Sequence, residues 1–164
     1  MIEVHPNLFV GSQLDFVNKV RDGDDVRENW SVVHACKEPF HREALGYTGR
    51  GAPKDDPEYL FARRGRRLCL NLVDVDNVAY INRDLIEAAL SFIEQELGEG
   101  RKVLVHCNLG HSRGPSVALL YKAKADPAFS AYDAAGAMEA FKALYPLYEP
   151  AGGMRGYIEQ NWAA

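Results

Sequence analysis

The chain has 164 residues, 47% hydrophobic and 26% charged, with a formal net charge of −4; these are values of an ordinary globule, and the length suits one domain over residues 1–164. The acidic balance argues against nucleic-acid binding, which needs an excess of Lys and Arg. Only three cysteines (Cys36, Cys69, Cys107), no apolar run of membrane length and an N-terminus without a signal-peptide pattern point to a reducing cytoplasm, with no membrane partner.

In chain order, Leu8–Ser12 reads as a short strand ending in a turn, and a helical stretch follows from about Leu14 to Arg21, closed by Gly23. Ser31–Cys36 is β-branched and apolar, so it is the next strand. Its His34 and Cys36 alternate onto one face, as core residues. From about Pro39 to Gly65 there is no periodicity and much Gly, Pro and charge, which predicts an extended surface loop. Arg63, Arg64, Arg66 and Arg67 then form a basic cluster. Such a run is either a solvated face pairing with local carboxylates or a rim that steers an anion.

Leu68–Leu72 alternates as a strand and leads into Val73-Asp74-Val75-Asp76-Asn77. Ile86, Ala89, Leu90, Ile93 and Leu97 recur at helical spacing, so the reading predicts an amphipathic helix over Asp84–Leu97, closed by Gly98. With a further strand at Val103–Val105 this makes a strand–helix–strand crossover, which implies parallel neighbours. The predicted class is α/β, a mostly parallel central sheet flanked by helices. Beyond it, Ser130-x-x-Asp133 has the spacing of a capping box opening a helix through Leu144 that Pro146 ends; Met154–Trp162 forms the last helix.

The chemistry concentrates in Val105-His106-Cys107-Asn108-Leu109-Gly110-His111-Ser112-Arg113-Gly114-Pro115. A strand that turns sharply into a helix N-terminus gathers unpaired N–H groups and the positive end of the helix dipole, and so cradles anions. Pro115 suits the first helical turn. A cysteine in such a cradle is expected to have a lowered pKa and to act as a thiolate nucleophile. Arg113 offers a planar fork for two phosphoryl oxygens. Cys107 and Arg113 are the predicted catalytic pair, and Asn108, Leu109, Gly110, His111 and Ser112 the substrate-binding loop around a phosphate or sulfate ion.

His106-Cys107-x-x-Gly110-x-x-Arg113 resembles the HCxxGxxR signature of the cysteine-dependent protein tyrosine phosphatase superfamily, and the short chain resembles its dual-specificity branch. Leu8-Phe9-Val10-Gly11-Ser12 also resembles that branch's opening strand. The resemblance implies one phosphatase-like domain, no metal and no cofactor. It implies hydrolysis of phosphotyrosine in a protein substrate, with phosphoserine and phosphothreonine as further substrates, through a cysteinyl-phosphate intermediate. It also implies an acid that protonates the leaving oxygen, an Asp on a loop some thirty residues before the nucleophile. Asp74 and Asp76 both qualify, and counting back without gaps from the helix favours Asp76. His106 shapes the loop from behind.

The sequence departs from the pattern in two places. The family has Ser or Thr after the arginine, to stabilise the departing cysteine when the phosphoenzyme is hydrolysed; here the residue is Gly114, and Ser116 is no assured substitute. The family's Arg-Pro-x-x-x-Pro-Asn run survives only as the spacing of Pro146 and Pro150. In the lipid-phosphatase branch a cysteine at the end of the matching strand traps the nucleophile as a disulfide, so Cys36 is a redox candidate. The loop positions carry no formal charge beyond a fraction on His111, which disfavours highly charged substrates. Two rival readings follow: a phosphate-binding pseudophosphatase slowed by Gly114, and an enzyme on a phosphoinositide or an RNA 5′-triphosphate end.

Overall fold

The computed structural model describes residues 1–23 and 29–162. Six strands form one sheet in the order β1-β2-β6-β3-β5-β4: β1 Ile2–His5, β2 Leu8–Ser12, β3 Trp30–His34, β4 Phe61–Arg64, β5 Arg67–Leu70 and β6 Lys102–Cys107. The sheet is mixed, which corrects the expectation of a mostly parallel one. Only the inner strands β2, β6, β3 and β5 run parallel; β1 and β4 lie antiparallel on the two edges. The cause is the length of the connections. Only Pro6-Asn7 joins β1 to β2, and only Gly65-Arg66 joins β4 to β5. Links of two residues can only fold a chain back on itself. Asn7 and Gly65 meet the demand for left-handed backbone, with φ of 64° and 62°.

The region read as a long loop is therefore partly regular. Glu38–Pro39 is a cis peptide, the backbone is extended at Glu38 and turns helically from there to His41, a short helix covers Arg42–Leu45, and β4 occupies Phe61–Arg64. Periodicity could not reveal them, because helical pieces of four or five residues complete no second turn, and β4 buries only Ala62 of its four residues. The stretch after β2 is helical, although as a three-residue turn, Gln13–Asp15, running into widened turns over Phe16–Arg21. Asp133, and not Ser130, caps the helix Ala134–Leu144, its carboxylate accepting the Gly136 N–H at 2.8 Å. Ser130 instead closes the preceding short helix, Pro127–Ser130.

One sheet face packs on the long helices: the crossover helix Arg83–Gly98, the loop helix Arg113–Ala125, Ala134–Leu144 and the last helix Gly152–Asn161. Val33, Leu68, Leu70, Val103 and Val105 meet Leu85, Ile93, Val117, Phe141 and Ile158 there. The other face is smaller and covered by the segments after β2 and β3, with Phe16, Val20, Trp30, Val32, Cys36, Phe40, Cys69 and Leu104. Alternation along β6 thus sends Val103 and Val105 to the helices and Leu104 and His106 to the smaller core. Cys107 lies at the end of this central strand, between two parallel neighbours. Among the described residues no helix is long and apolar enough to cross a membrane.

Candidate active site

β6 delivers Cys107 to the carboxyl edge of the sheet, and the chain turns through Asn108–Ser112 into the helix that starts at Arg113. The turn is held from three sides. Gly110 has a φ of 79°, and a Cβ there would lie 2.8 Å from the Tyr145 hydroxyl and 2.9 Å from the Gly11 carbonyl oxygen. That hydroxyl donates to the Gly110 carbonyl at 2.8 Å. From the last loop, the Ala151 N–H donates to Ser112 Oγ at 2.8 Å and the Glu149 N–H to the His111 carbonyl at 2.7 Å. From the segment after β2, Gln13 N–H donates to the Asn108 carbonyl at 3.2 Å. The loop owes its shape to bonds from distant parts of the chain.

Arg113 folds back over this turn. Its Nη1 donates to the Leu72 carbonyl at 3.0 Å and its Nη2 to Asn108 Oδ1 at 2.8 Å. The Asn108 amide is fixed in turn, donating to Gln13 Oε1 and to the Glu38 carbonyl, both at 2.9 Å. A guanidinium has five N–H donors in one plane, so two such bonds set its orientation and leave the others for an oxyanion. The cavity they enclose has a volume of about 230 Å³ and is lined by Asp74, Cys107, Asn108, Leu109, His111, Ser112, Arg113, Glu149 and Ala151. It brings the predicted nucleophile, arginine and loop together around one space. Gly110 contributes backbone from behind. Leu109, 71% exposed, stands at the mouth as an apolar lip.

Of the two candidate acids, Asp74 is in the cavity wall and Asp76 is not. Both are exposed. The loop that carries them is pinned to the last helix: the Gly153 N–H donates to the Val75 carbonyl at 2.9 Å, and a Cβ on Gly152 would sit 2.7 Å from the Asp76 carbonyl oxygen.

No protein-family model matches the sequence, and no curated protein does. Solved structures do. A structure of DUSP15 superposes with a TM-score of 0.67 at 19% identity, covering 100% of this chain and 88% of that one. The human tyrosine phosphatase-like serine/threonine/tyrosine-interacting protein gives 0.66 at 18%, over 98% and 93% of the two chains. The Yvh1 phosphatase domain from Chaetomium thermophilum gives 0.62 at 18%, over 98% and 93%. The chain has the dual-specificity phosphatase fold.

Within that fold, Gly114 has a definite setting. A Cβ there would lie 3.0 Å from the His106 carbonyl carbon and 3.1 Å from the Cys107 nitrogen, so the helix start packs directly on the backbone of β6. Ser116 is fully buried, with Oγ 2.9 Å from the Tyr148 hydroxyl. Cys36, Cys69 and Cys107 are all free thiols. Burial pushes the Cys36 thiol up to about 12 against the pull of the Arg113 charge, which makes it a reluctant thiolate.

The basic cluster is drawn into local pairs and lines no part of the cavity. Arg63 lies 3.6 Å from the buried Glu96 carboxylate, Arg64 pairs with Glu58 at 2.7 Å, Arg66 with Asn29, and Arg67 donates to His34. Among the described residues no three His, Cys, Asp or Glu side chains converge as a metal site. Sequence reading missed Glu149 and Ala151 in the cavity wall, the Gln13 and Leu72 contacts, and the Gly152-Gly153 pair. The paired glycines at a helix start were the one available signal, a sign of close backbone approach.

Proposed function

We propose that the protein hydrolyses phosphomonoesters, with phosphotyrosine in a protein as the leading substrate, through a cysteinyl-phosphate intermediate. The observation that carries this is the cavity itself, lined by Cys107, by Arg113 oriented by Leu72 and Asn108, and by Asp74. Cys107 sulfur attacks phosphorus while the loop N–H groups and the free donors of Arg113 hold the non-bridging oxygens. The P–O bond to the leaving group breaks, and a carboxylic acid gives that oxygen its proton. The same carboxylate then takes a proton from water, whose oxygen attacks phosphorus and releases the thiolate.

The place of Asp74 in the cavity wall supports it as that acid. Asp76 keeps the support of its spacing and defines the second reading. The apolar lip formed by Leu109 suits an aromatic leaving group. The carboxylates of Asp74 and Glu149 beside a single arginine disfavour phosphoinositide and triphosphate substrates by like-charge repulsion. With Gly114 in place of a hydroxyl, thiolate release is the slow step, so the phosphoenzyme accumulates. A pseudophosphatase would bind phosphate without turnover. Hydrolysis of p-nitrophenyl phosphate by the wild type beside Cys107→Ser separates these: turnover lost in the variant supports the enzyme, and equal rates contradict it. A panel of phosphopeptides and inositol phosphates, run the same way, ranks the substrates.

A further inference from the structure

Behind the nucleophile, three side chains form a continuous line that the chemistry above does not use. Arg67 Nε donates to His34 Nε2 at 2.8 Å, His34 Nδ1 lies 2.6 Å from His106 Nε2, and His106 Nδ1 lies 3.3 Å from the Cys107 carbonyl oxygen. Both imidazoles are fully buried and clamped by rings. His34 stacks on Phe40 at 4.0 Å and His106 on Phe16 at 5.3 Å, and the Arg67 guanidinium lies over Phe16. β3 and β6 place the two histidines opposite one another, since His34 and His106 are register partners.

Every proton in the line is fixed by its outer end. A guanidinium can only donate, so His34 Nε2 is an acceptor and its proton sits on Nδ1. His34 therefore donates to His106 Nε2, and His106 carries its own proton on Nδ1, facing the Cys107 carbonyl. Burial holds both imidazoles below their usual pKa, His106 at about 4, so both are neutral near pH 7. A trans peptide points its carbonyl and the next N–H in opposite directions. Holding the Cys107 carbonyl back toward the imidazole therefore turns the Asn108 N–H to the side of the anion cradle.

We propose that Arg67 is a positioning residue, which through His34 fixes the His106 tautomer and thereby orients the first amide of the phosphate cradle. The proposal rests on the phosphatase reading only for its kinetic consequence. Arg67 is exposed and borders a surface cavity of about 260 Å³ shared with Phe40, Glu43, Ala44, Arg64 and Cys69, so the relay begins at the solvent-facing side.

The ring ¹⁵N shifts of His34 and His106 test the relay directly, with no need for activity. In the wild type both rings should show a protonated Nδ1 and an unprotonated Nε2; in Arg67→Ala the His34 pattern should collapse into a tautomer average. With p-nitrophenyl phosphate, Arg67→Ala and the volume-filling His34→Leu should each lose about tenfold in kcat, as removal of an outer hydrogen-bond partner does, with little change in KM. The double variant should lose no more than either single one, because both cut the same line. An Nε2-protonated His106 in the wild type, or additive losses, would overturn the proposal. So would an Arg67→Ala protein with lowered Tm but unchanged ring shifts and kcat. If the wild type has no phosphatase activity, the ring shifts still decide the relay, and only the functional reading falls.

Discussion

At the scale of single residues, Gly114 and Ser116 bear on whether a hydroxyl takes part in thiolate release. Gly114→Ser would supply the group the family pattern has, yet its Cβ would enter backbone at 3.0–3.1 Å. The expected outcome is a loss of about 1–3 kcal/mol of stability, typical of overpacking, with no gain in turnover. A melting curve and a steady-state rate check both halves. Ser116→Ala strands the buried Tyr148 hydroxyl and should cost about 1–2 kcal/mol, with kcat unchanged; a fall in kcat would place that hydroxyl in the chemistry. The two aspartates are separated by pH–rate profiles. Whichever of Asp74→Asn and Asp76→Asn removes the proton donor should lose about 10²-fold or more in kcat together with one limb of the pH profile, and the cavity wall points to Asp74.

At the scale of elements, the loop that carries Asp74 and Asp76 depends on a buttress far along the chain. Gly153 lets the last helix approach that loop so closely that a Cβ there would lie 2.3 Å from the Val75 carbonyl oxygen. Gly153→Ala should displace that loop and cut kcat several-fold, while anion binding by Cys107 and Arg113, read as phosphate inhibition, changes little. The motif from His106 to Arg113 was legible because strand, turn and helix start are all local, and the crossover helix because its five apolar positions span about three turns. The edge strands were not, since each buries only one of its four residues and shows no alternation. Nor were Gln13, Leu72 and Glu149, whose roles arise only when the sheet brings separate loops to one edge. Asp76 has the spacing and Asp74 the place in the cavity wall, and spacing alone does not say which way a short loop turns each carboxylate.

At the scale of the whole molecule, two buried histidines joining β3 to β6 couple acid stability to the site. His106 falls from an ordinary 6.5 to about 4 in the fold, and His34 is also lowered, chiefly by burial. The unfolded chain therefore binds protons that the fold refuses. The stability the pair contributes is present above pH 6.5 and is lost as pH falls toward 4, by about 3 kcal/mol for His106 alone. Urea unfolding at a series of pH values should show that slope, and His34→Leu should flatten it. The proposed reaction requires a covalent bond between phosphorus and one sulfur. The most direct measurement is a rapid acid quench of the protein mixed with a ³²P-phosphotyrosine peptide, followed by mapping of the label. The label should lie on the peptide containing Cys107, build up early because Gly114 leaves the thiolate slow to depart, and vanish in Cys107→Ser; hydrolysis with no label on Cys107, or undiminished in that variant, would contradict the account.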